Sequence, residues 1–169
     1  GHSLGAHLMP RILNLVKVDK AIMMAGNARG LDEVVIDQYV YLNSLNPTKE
    51  GENEIDTIKK EVSFLTSNKF NTTLSSDELP LGLSAKYWQS LINYKPLVEV
   101  KKVTIPLLIL NGERDYQVTM KEFNLWKKTL VNTKTQFISY PKLNHLFIAG
   151  EGKPSPEEYT FKGEVDTKV

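Results

Sequence analysis

The stretch IPLLILNGERD, residues 105–115, carries the strongest strand signal in the sequence. Its aliphatic run is unbroken, which is typical of a parallel strand that helices cover on both faces. Two shorter stretches predict further strands, KAIMMAG at residues 20–26 and TQFISYP at residues 135–141. Because helical segments separate the three stretches, the sequence predicts an α/β fold with a parallel sheet and right-handed crossovers.

Helices are predicted on both sides of residues 105–115. Apolar residues at helical spacing indicate amphipathic helices over residues 31–45 and near residues 54–67, and a polar loop follows at 68–83. Ser84 is predicted to cap a short helix, and a second capping pattern predicts a helical turn near residues 156–159.

Residues 119–122, Thr-Met-Lys-Glu, have the pattern of a capping box. In that motif the threonine hydroxyl and the glutamate carboxylate each accept a hydrogen bond from a backbone N–H at the start of a helix. We therefore predict that a helix begins after Thr119 and that Glu122 turns back towards its first residue.

The pattern GHSLG at residues 1–5 places Ser3 between two glycines. A tight turn from a strand into a helix has this spacing, and a side chain at either glycine is expected to collide with the turn. A helix is predicted to follow, with a kink or a late start at Pro10, which lacks an amide donor. The pattern arises by chance in roughly one chain in twenty of this length, so Ser3 needs partners.

Partners for Ser3 are expected where the predicted strands end, because the chemistry of parallel α/β sheets takes place at the carboxyl ends of their strands. Asp115 follows the strand within residues 105–115, and His145 follows the strand at 135–141. The order serine, aspartate, histidine is that of α/β-hydrolase triads and differs from the orders of chymotrypsin and subtilisin.

Each of these residue types has a chemical reason to be there. A serine hydroxyl is a poor nucleophile at neutral pH, so an imidazole must take its proton during attack and return it to the leaving group. The imidazole in turn needs a buried carboxylate that fixes its tautomer. The backbone N–H of Leu4, directly after the serine, is expected to donate to the developing oxyanion.

Three stretches resemble the signature segments of α/β-hydrolase-fold serine hydrolases: GHSLGA the nucleophile elbow, IPLLILNGERDYQV the acid-bearing strand and loop, and YPKLNHLF the histidine loop. The more specific similarity is to bacterial esterase-like members related to the dienelactone-hydrolase and acyl-peptidase types. The resemblance covers nearly the whole chain. It implies the carboxy-terminal part of one α/β-hydrolase domain, with a partial parallel sheet and a helical cap insertion over residues 31–93.

The same resemblance implies a serine hydrolase that cleaves a carboxylic ester or similar acyl bond of a small molecule through an acyl-enzyme. Ser3, Asp115 and His145 fall on the triad positions. The family implies no metal and no dissociable cofactor. A peptidase or thioesterase on the same scaffold remains an alternative, as does a non-catalytic binding module or an incomplete, inactive fragment.

The chain departs from the family pattern in three respects. It opens at the elbow, so we expect it to be part of a longer protein whose earlier strands and early loop supply the second oxyanion donor. The final helix of the family is also missing, and Ala6 stands where the family commonly has glycine. A partial sheet exposes a strand edge, which predicts self-association through that edge.

Composition excludes several other classes of function. The 169 residues are 41% hydrophobic and 24% charged with a net charge of +1, which gives no footprint for nucleic acid or a membrane surface. The absence of cysteine excludes disulfides, thiolate catalysis and cysteine-ligated metals. No apolar run reaches the ~18 residues of a membrane span, and the compartment stays open.

Several candidate residues have alternative roles. Glu113 competes with Asp115 for the role of the acid. His2 is expected to pack beside the sheet rather than to take part in the chemistry. His7 is expected to lie on the following helix, either packed or solvated, rather than to be catalytic. Asn27 and Arg29 follow a predicted strand, so they are candidates for substrate binding, although a structural salt bridge also accounts for Arg29.

Two aromatic residues of the predicted insertion can likewise serve either substrate binding or structure. Tyr87 and Trp88 are candidates for lining an acyl pocket, and core packing of the helices explains them equally well.

Overall fold

The computed structural model describes residues 1–131 and 134–169, which form two compact units. Unit 1 consists of Gly1–Arg29 and Pro96–Val169, and unit 2 is the continuous segment Gly30–Lys95. In chain order, the α-helices are α1 (Leu4–His7), α2 (Met9–Leu13), α3 (Leu31–Leu45), α4 (Lys49–Leu65), α5 (Ala85–Ile92), α6 (Pro96–Glu99) and α7 (Met120–Thr129).

Unit 1 is built on a parallel sheet of three strands in the order β1-β2-β3. These are β1 (Ala21–Met24), β2 (Leu107–Gly112) and β3 (Thr135–Tyr140), so the three predicted strands are confirmed in shorter form. The central strand β2 is buried at all but one of its positions, which explains why its sequence is aliphatic without alternation.

The core of unit 1 lies between the sheet and its helices. Met23 of β1 and Ile109 of β2 pack with Phe123 and Trp126 of α7 in one buried cluster. The indole N–H of Trp126 donates to the Gly26 carbonyl at 2.7 Å, which joins α7 to the chain leaving β1.

The helix after the elbow is broken, as the proline predicted. α1 ends at His7 and α2 begins at Met9, with Leu8 between them, and Pro10 lies in the first turn of α2. The missing N–H of proline costs nothing there, because the first backbone N–H groups of a helix have no partner within it.

The predicted capping box of α7 is wrong. The helix begins at Met120, as expected, but the Thr119 side chain makes no capping hydrogen bond. Glu122 lies fully buried, and its carboxylate accepts hydrogen bonds from Ala28 and Arg29 instead.

Unit 2 contains α3, α4 and α5. The Thr48 side chain accepts from the N–H of Gly51, so α4 begins several residues before its predicted start. Ser84 caps α5 as predicted, by accepting from the N–H of Tyr87. Two short 3₁₀ helices, Ser76–Glu78 and Pro80–Gly82, lie in the predicted loop. Unit 2 lies within two residues of the predicted insertion at either end, and its role as a cap stays a prediction.

Two negative findings concern residues 1–131 and 134–169 only. No helix in these ranges combines the length and the apolar character that crossing a membrane requires. Nor do the same ranges contain a group of three or more histidine, aspartate or glutamate side chains that could hold a metal ion.

Candidate active site

The elbow places Ser3 in a backbone conformation that residues other than glycine seldom adopt, with φ 53° and ψ −122°. Hydrogen bonds on both sides hold it there. The N–H of Met24 donates to the Gly1 carbonyl at 2.9 Å, and the N–H of Ser3 donates to the Met24 carbonyl at 2.9 Å. The elbow therefore runs parallel to β1 through the bridge from His2 to Met24, and α1 begins at the next residue after Ser3.

The two glycines of the elbow differ in what they tolerate. A Cβ atom added to Gly1 would lie 2.5 Å from the Gly5 carbonyl oxygen, so the turn requires glycine at this position. A Cβ atom added to Gly5 would meet nothing within 4 Å. The prediction that a side chain at Gly5 would collide with the turn is therefore wrong, as far as the described residues are concerned.

Asp115 and His145 meet at the carboxyl ends of β2 and β3. The Nδ1 atom of His145 lies 2.7 Å from Oδ2 of Asp115, and the aspartate side chain is fully buried. The other carboxylate oxygen accepts hydrogen bonds from the N–H groups of Gln117 and Val118, both at 2.8 Å. Because an ionised carboxylate only accepts, the Nδ1 atom carries the proton, and a neutral ring keeps Nε2 as its basic nitrogen.

The alternative acid lies elsewhere. The carboxylate of Glu113 accepts a hydrogen bond from the Ser139 hydroxyl at 2.7 Å, at an exposed position on the sheet edge. The structure thus brings Asp115 rather than Glu113 to His145.

The histidine loop is a tight and strained turn. Phe147 has φ 59° and is buried, and the Asn144 side chain accepts from the N–H groups of Leu146 and Ile148. A Cβ atom on Gly112, at the end of β2, would lie 2.2 Å from the Leu143 carbonyl oxygen. This glycine allows the histidine loop to approach the end of the central strand.

His2 joins the elbow to the histidine loop. Its Nε2 atom lies 2.8 Å from the His145 carbonyl oxygen, and the centroids of the two imidazole rings are 4.8 Å apart. Ser3 therefore follows a residue that is in direct contact with His145. No local sequence pattern indicates this contact, because the two residues are 143 positions apart.

His7 and Leu4 lie on α1. His7 is fully buried, and its Nδ1 atom donates to the Asn27 carbonyl at 2.9 Å, so this side chain is packed rather than solvated. Leu4 is the first residue of α1, where backbone N–H groups have no partner within the helix. Its role as an oxyanion donor stays a prediction.

Arg29 makes the structural salt bridge that was considered for it. Its guanidinium contacts Glu122 at 2.6 Å and 2.7 Å, and the second glutamate oxygen accepts from the N–H groups of Ala28 and Arg29 at 2.9 Å each. The Asn27 amide donates to the Arg29 carbonyl at 2.9 Å. The substrate contacts predicted for Asn27 and Arg29 stay predictions.

The burial of Glu122, although not the identity of its partners, could have been predicted from the sequence. It lies four residues before Trp126, so it shares the inward face of the predicted helix. A glutamate on such a face requires buried donors.

Tyr87 and Trp88 belong to unit 2. Trp88 is fully buried, and its indole N–H donates to the Pro80 carbonyl at 2.9 Å, which is the arrangement of a core residue. Tyr87 is half-buried on the same helix. Their proposed role in substrate binding stays a prediction.

Comparison with known proteins identifies a relative over the whole chain. The sequence is 40% identical over 170 residues to Esterase EstD of Thermotoga maritima. The match covers 100% of this chain and 39% of that protein, so the chain spans about two fifths of its relative's length. No model of a known protein family matches.

Solved structures that are similar to the chain include three hydrolases, all with low sequence identity. They are the Pyrococcus horikoshii acylaminoacyl peptidase (16% identity, TM-score 0.47, 86% of this chain and 19% of that one), the Paleococcus ferrophilus monoacylglycerol lipase (15%, 0.47, 87% and 59%) and an alpha/beta fold family hydrolase from Bacillus anthracis (17%, 0.48, 86% and 59%).

The sequence match and the architecture are compatible with each other. Over its whole length the chain is a homologue of an esterase, and its three-stranded parallel sheet with flanking helices is consistent with a partial α/β-hydrolase fold.

Proposed function

We propose that the chain carries the catalytic centre of a serine esterase, which cleaves a carboxylic ester or similar acyl bond of a small molecule through an acyl-enzyme. The observation that carries the proposal is the buried 2.7 Å hydrogen bond between Asp115 and His145. Two further observations support it: the strained elbow at Ser3 is joined to His145 through His2, and the homologous relative is named an esterase.

In the first half of the reaction, the Nε2 atom of His145 accepts the hydroxyl proton while Oγ of Ser3 bonds to the ester carbonyl carbon. The carbonyl oxygen becomes an oxyanion, to which the N–H of Leu4 donates. The intermediate then expels the alcohol as its carbon–oxygen bond breaks, and Nε2 returns the proton to the alcohol oxygen.

In the second half, a water molecule replaces the alcohol. His145 takes one proton from this water as its oxygen attacks the acyl carbon, and it gives that proton to Oγ of Ser3 when the acid leaves. Asp115 stays ionised throughout, holds the ring in the productive tautomer and stabilises the imidazolium. The predicted contacts of Asn27, Arg29, Tyr87 and Trp88 would act on substrate binding rather than on these steps.

The test is labelling by a fluorophosphonate, followed by intact mass. We would treat the longest natural chain that contains these 169 residues and, separately, the 169-residue chain. One adduct is expected, and Ser3→Ala should abolish it and reduce kcat by several orders of magnitude. Ser139→Ala is the matched control, because the Ser139 hydroxyl is bound to Glu113 and should keep full labelling.

An adduct that persists in Ser3→Ala would contradict the proposal, and an unlabelled longest chain would favour the binding-module alternative. The bond that is cleaved is decided by an ester, an anilide and a thioester of the same acid. The proposal expects the highest kcat/KM on the ester, and a preference for the anilide or the thioester would favour the peptidase or thioesterase alternative.

A further inference from the structure

The 3₁₀ helix Pro156–Thr160 carries a carboxylate that contacts the loops of both Asp115 and His145. One oxygen of Glu158 accepts a hydrogen bond from the Nη2 atom of Arg114. The other oxygen accepts from Nη1 of Arg114 at 3.1 Å and from the Asn144 amide at 3.3 Å. Arg114 directly precedes Asp115 and Asn144 directly precedes His145, so one carboxylate holds the neighbours of both residues.

The pair of Arg114 and Glu158 is well shielded, with side chains 10% and 16% exposed. Its two parallel hydrogen bonds have the forked geometry in which arginine binds a carboxylate most strongly. Two backbone carbonyls also hold the guanidinium, because Nη2 donates to the carbonyl oxygens of Glu151 and Gly152. The carboxylate therefore meets a donor whose position is already fixed.

Asn144 transmits this hold to the turn that contains His145. It is buried, and its side-chain oxygen accepts from the N–H groups of Leu146 and Ile148 at 3.0 Å and 3.2 Å. Its amide NH₂ is thereby directed at Glu158. A shift of the carboxylate would act on the Asn144 side chain, and through it on the backbone on either side of His145.

The neighbouring residue of the 3₁₀ helix contacts the other side of the aspartate loop. The ring centroids of Tyr159 and Tyr116 are 6.0 Å apart. The Tyr159 hydroxyl accepts a hydrogen bond from the Gln117 side-chain amide at 3.0 Å. Burial raises the pKa of the Tyr159 hydroxyl well above its usual value, so it stays neutral at physiological pH. The N–H of Gln117 donates to Asp115 itself.

We propose that Glu158 is a positioning residue, which holds the loops of Asp115 and His145 at the separation that their hydrogen bond requires. It adds to the main-chain hydrogen bond from Arg114 to the Leu143 carbonyl, which also joins the two loops. In this role Glu158 acts through Arg114 and Asn144, whose side chains it binds. The inference rests on the proposed function, because its effect is on the proposed proton transfer.

The test compares Glu158→Gln with Glu157→Gln in the longest natural chain that contains this segment. Glu157 lies on the same helix but is exposed, so it is a matched control for the loss of one carboxylate. In Glu158→Gln we expect kcat per active site to fall about 10- to 100-fold with KM within about twofold, since a small misplacement of a catalytic group is costly. Glu157→Gln should match the wild type.

Active sites are counted by burst titration, so unfolded protein does not affect the comparison. The rate of fluorophosphonate labelling at Ser3 should fall in parallel with kcat. If Glu158→Gln folds poorly, Glu158→Asp keeps the charge but is one methylene too short to hold both partners, and it should show the same pattern. A normal kcat per active site in a folded variant would overturn the inference, whereas a wild type that neither hydrolyses esters nor labels would overturn the proposed function first.

Discussion

The two units of the chain hold their side chains in different ways. In unit 1, side-chain hydrogen bonds join residues that are far apart in sequence: His145 and Asp115 are separated by 30 positions, Arg114 and Glu158 by 44, and Glu122 and Ala28 by 94. In unit 2, side-chain hydrogen bonds join near neighbours: Thr48 accepts from Gly51, three positions away, and Trp88 donates to Pro80, eight positions away. Unit 1 is tied together across the chain, and unit 2 by local caps and apolar packing.

Backbone strain occurs in both units. In unit 1, Ser3, Ala25 and Phe147 have positive φ, and all three lie in the elbow or in loops after strands. In unit 2, Leu81 has φ 57° within the 3₁₀ helix Pro80–Gly82. Such conformations cost of order 1–3 kcal/mol each and persist where the surrounding structure determines them. Because the candidate triad lies in unit 1, we expect changes in the loops of unit 1 to alter chemistry and changes at the local caps of unit 2 to alter stability.

The largest expected effect comes from the carboxylate on His145. Asp115→Asn should reduce kcat about 10⁴-fold, because an amide does not hold the imidazole in the required tautomer. Glu113→Gln removes a carboxylate two positions away and should leave kcat nearly unchanged. Steady-state kinetics on an activated ester measure both. Equal losses of kcat in the two variants would mean that the hydrogen bond between Asp115 and His145 has no special role in catalysis.

An intermediate effect is expected from the same glycine substitution made in each unit. Gly112→Ala should destabilise the fold by about 1–3 kcal/mol, because the added methyl meets the backbone carbonyl of Leu143 at 2.2 Å. Gly51→Ala should cost less, since alanine is the better helix former and the obstructing atom is a side-chain oxygen, Oδ1 of Asn43, whose displacement loses only its hydrogen bond from the N–H of Thr48. Denaturant unfolding measures both, and a larger loss for Gly51→Ala would contradict the comparison.

The smallest effect concerns helix caps. Thr48→Ala should cost about 1 kcal/mol of unfolding free energy, because its hydroxyl accepts the hydrogen bond from Gly51 that starts α4. Thr119→Ala should cost less, since the Thr119 side chain makes no capping hydrogen bond at α7. Thermal unfolding of the two variants gives the difference, and equal costs would mean that local caps are no more important in unit 2 than in unit 1.

The sequence predicted those features that depend on short-range patterns. The aliphatic run before Asp115 predicted the central strand, and Pro10 predicted the interruption at Leu8. The meeting of Asp115 and His145 was predictable as well, because residues at the carboxyl ends of neighbouring parallel strands lie at one edge of the sheet.

The features that sequence reasoning missed depend on distant backbone. The spacing from Thr119 to Glu122 fits a capping box, but the Glu122 carboxylate accepts hydrogen bonds from the N–H groups of Ala28 and Arg29 instead. Likewise, nothing near Glu158 in the sequence indicates that Arg114 will be within reach. Such contacts are known only once the strands are in register.

The anchoring of Ala28 and Arg29 by Glu122 has an evolutionary consequence. The anchored pair ends immediately before Gly30, where the continuous segment of unit 2 begins. Insertions or deletions after that point would leave the preceding loop held by the same buried carboxylate. Unit 2 can therefore vary in length and sequence over generations without moving the loop that follows β1.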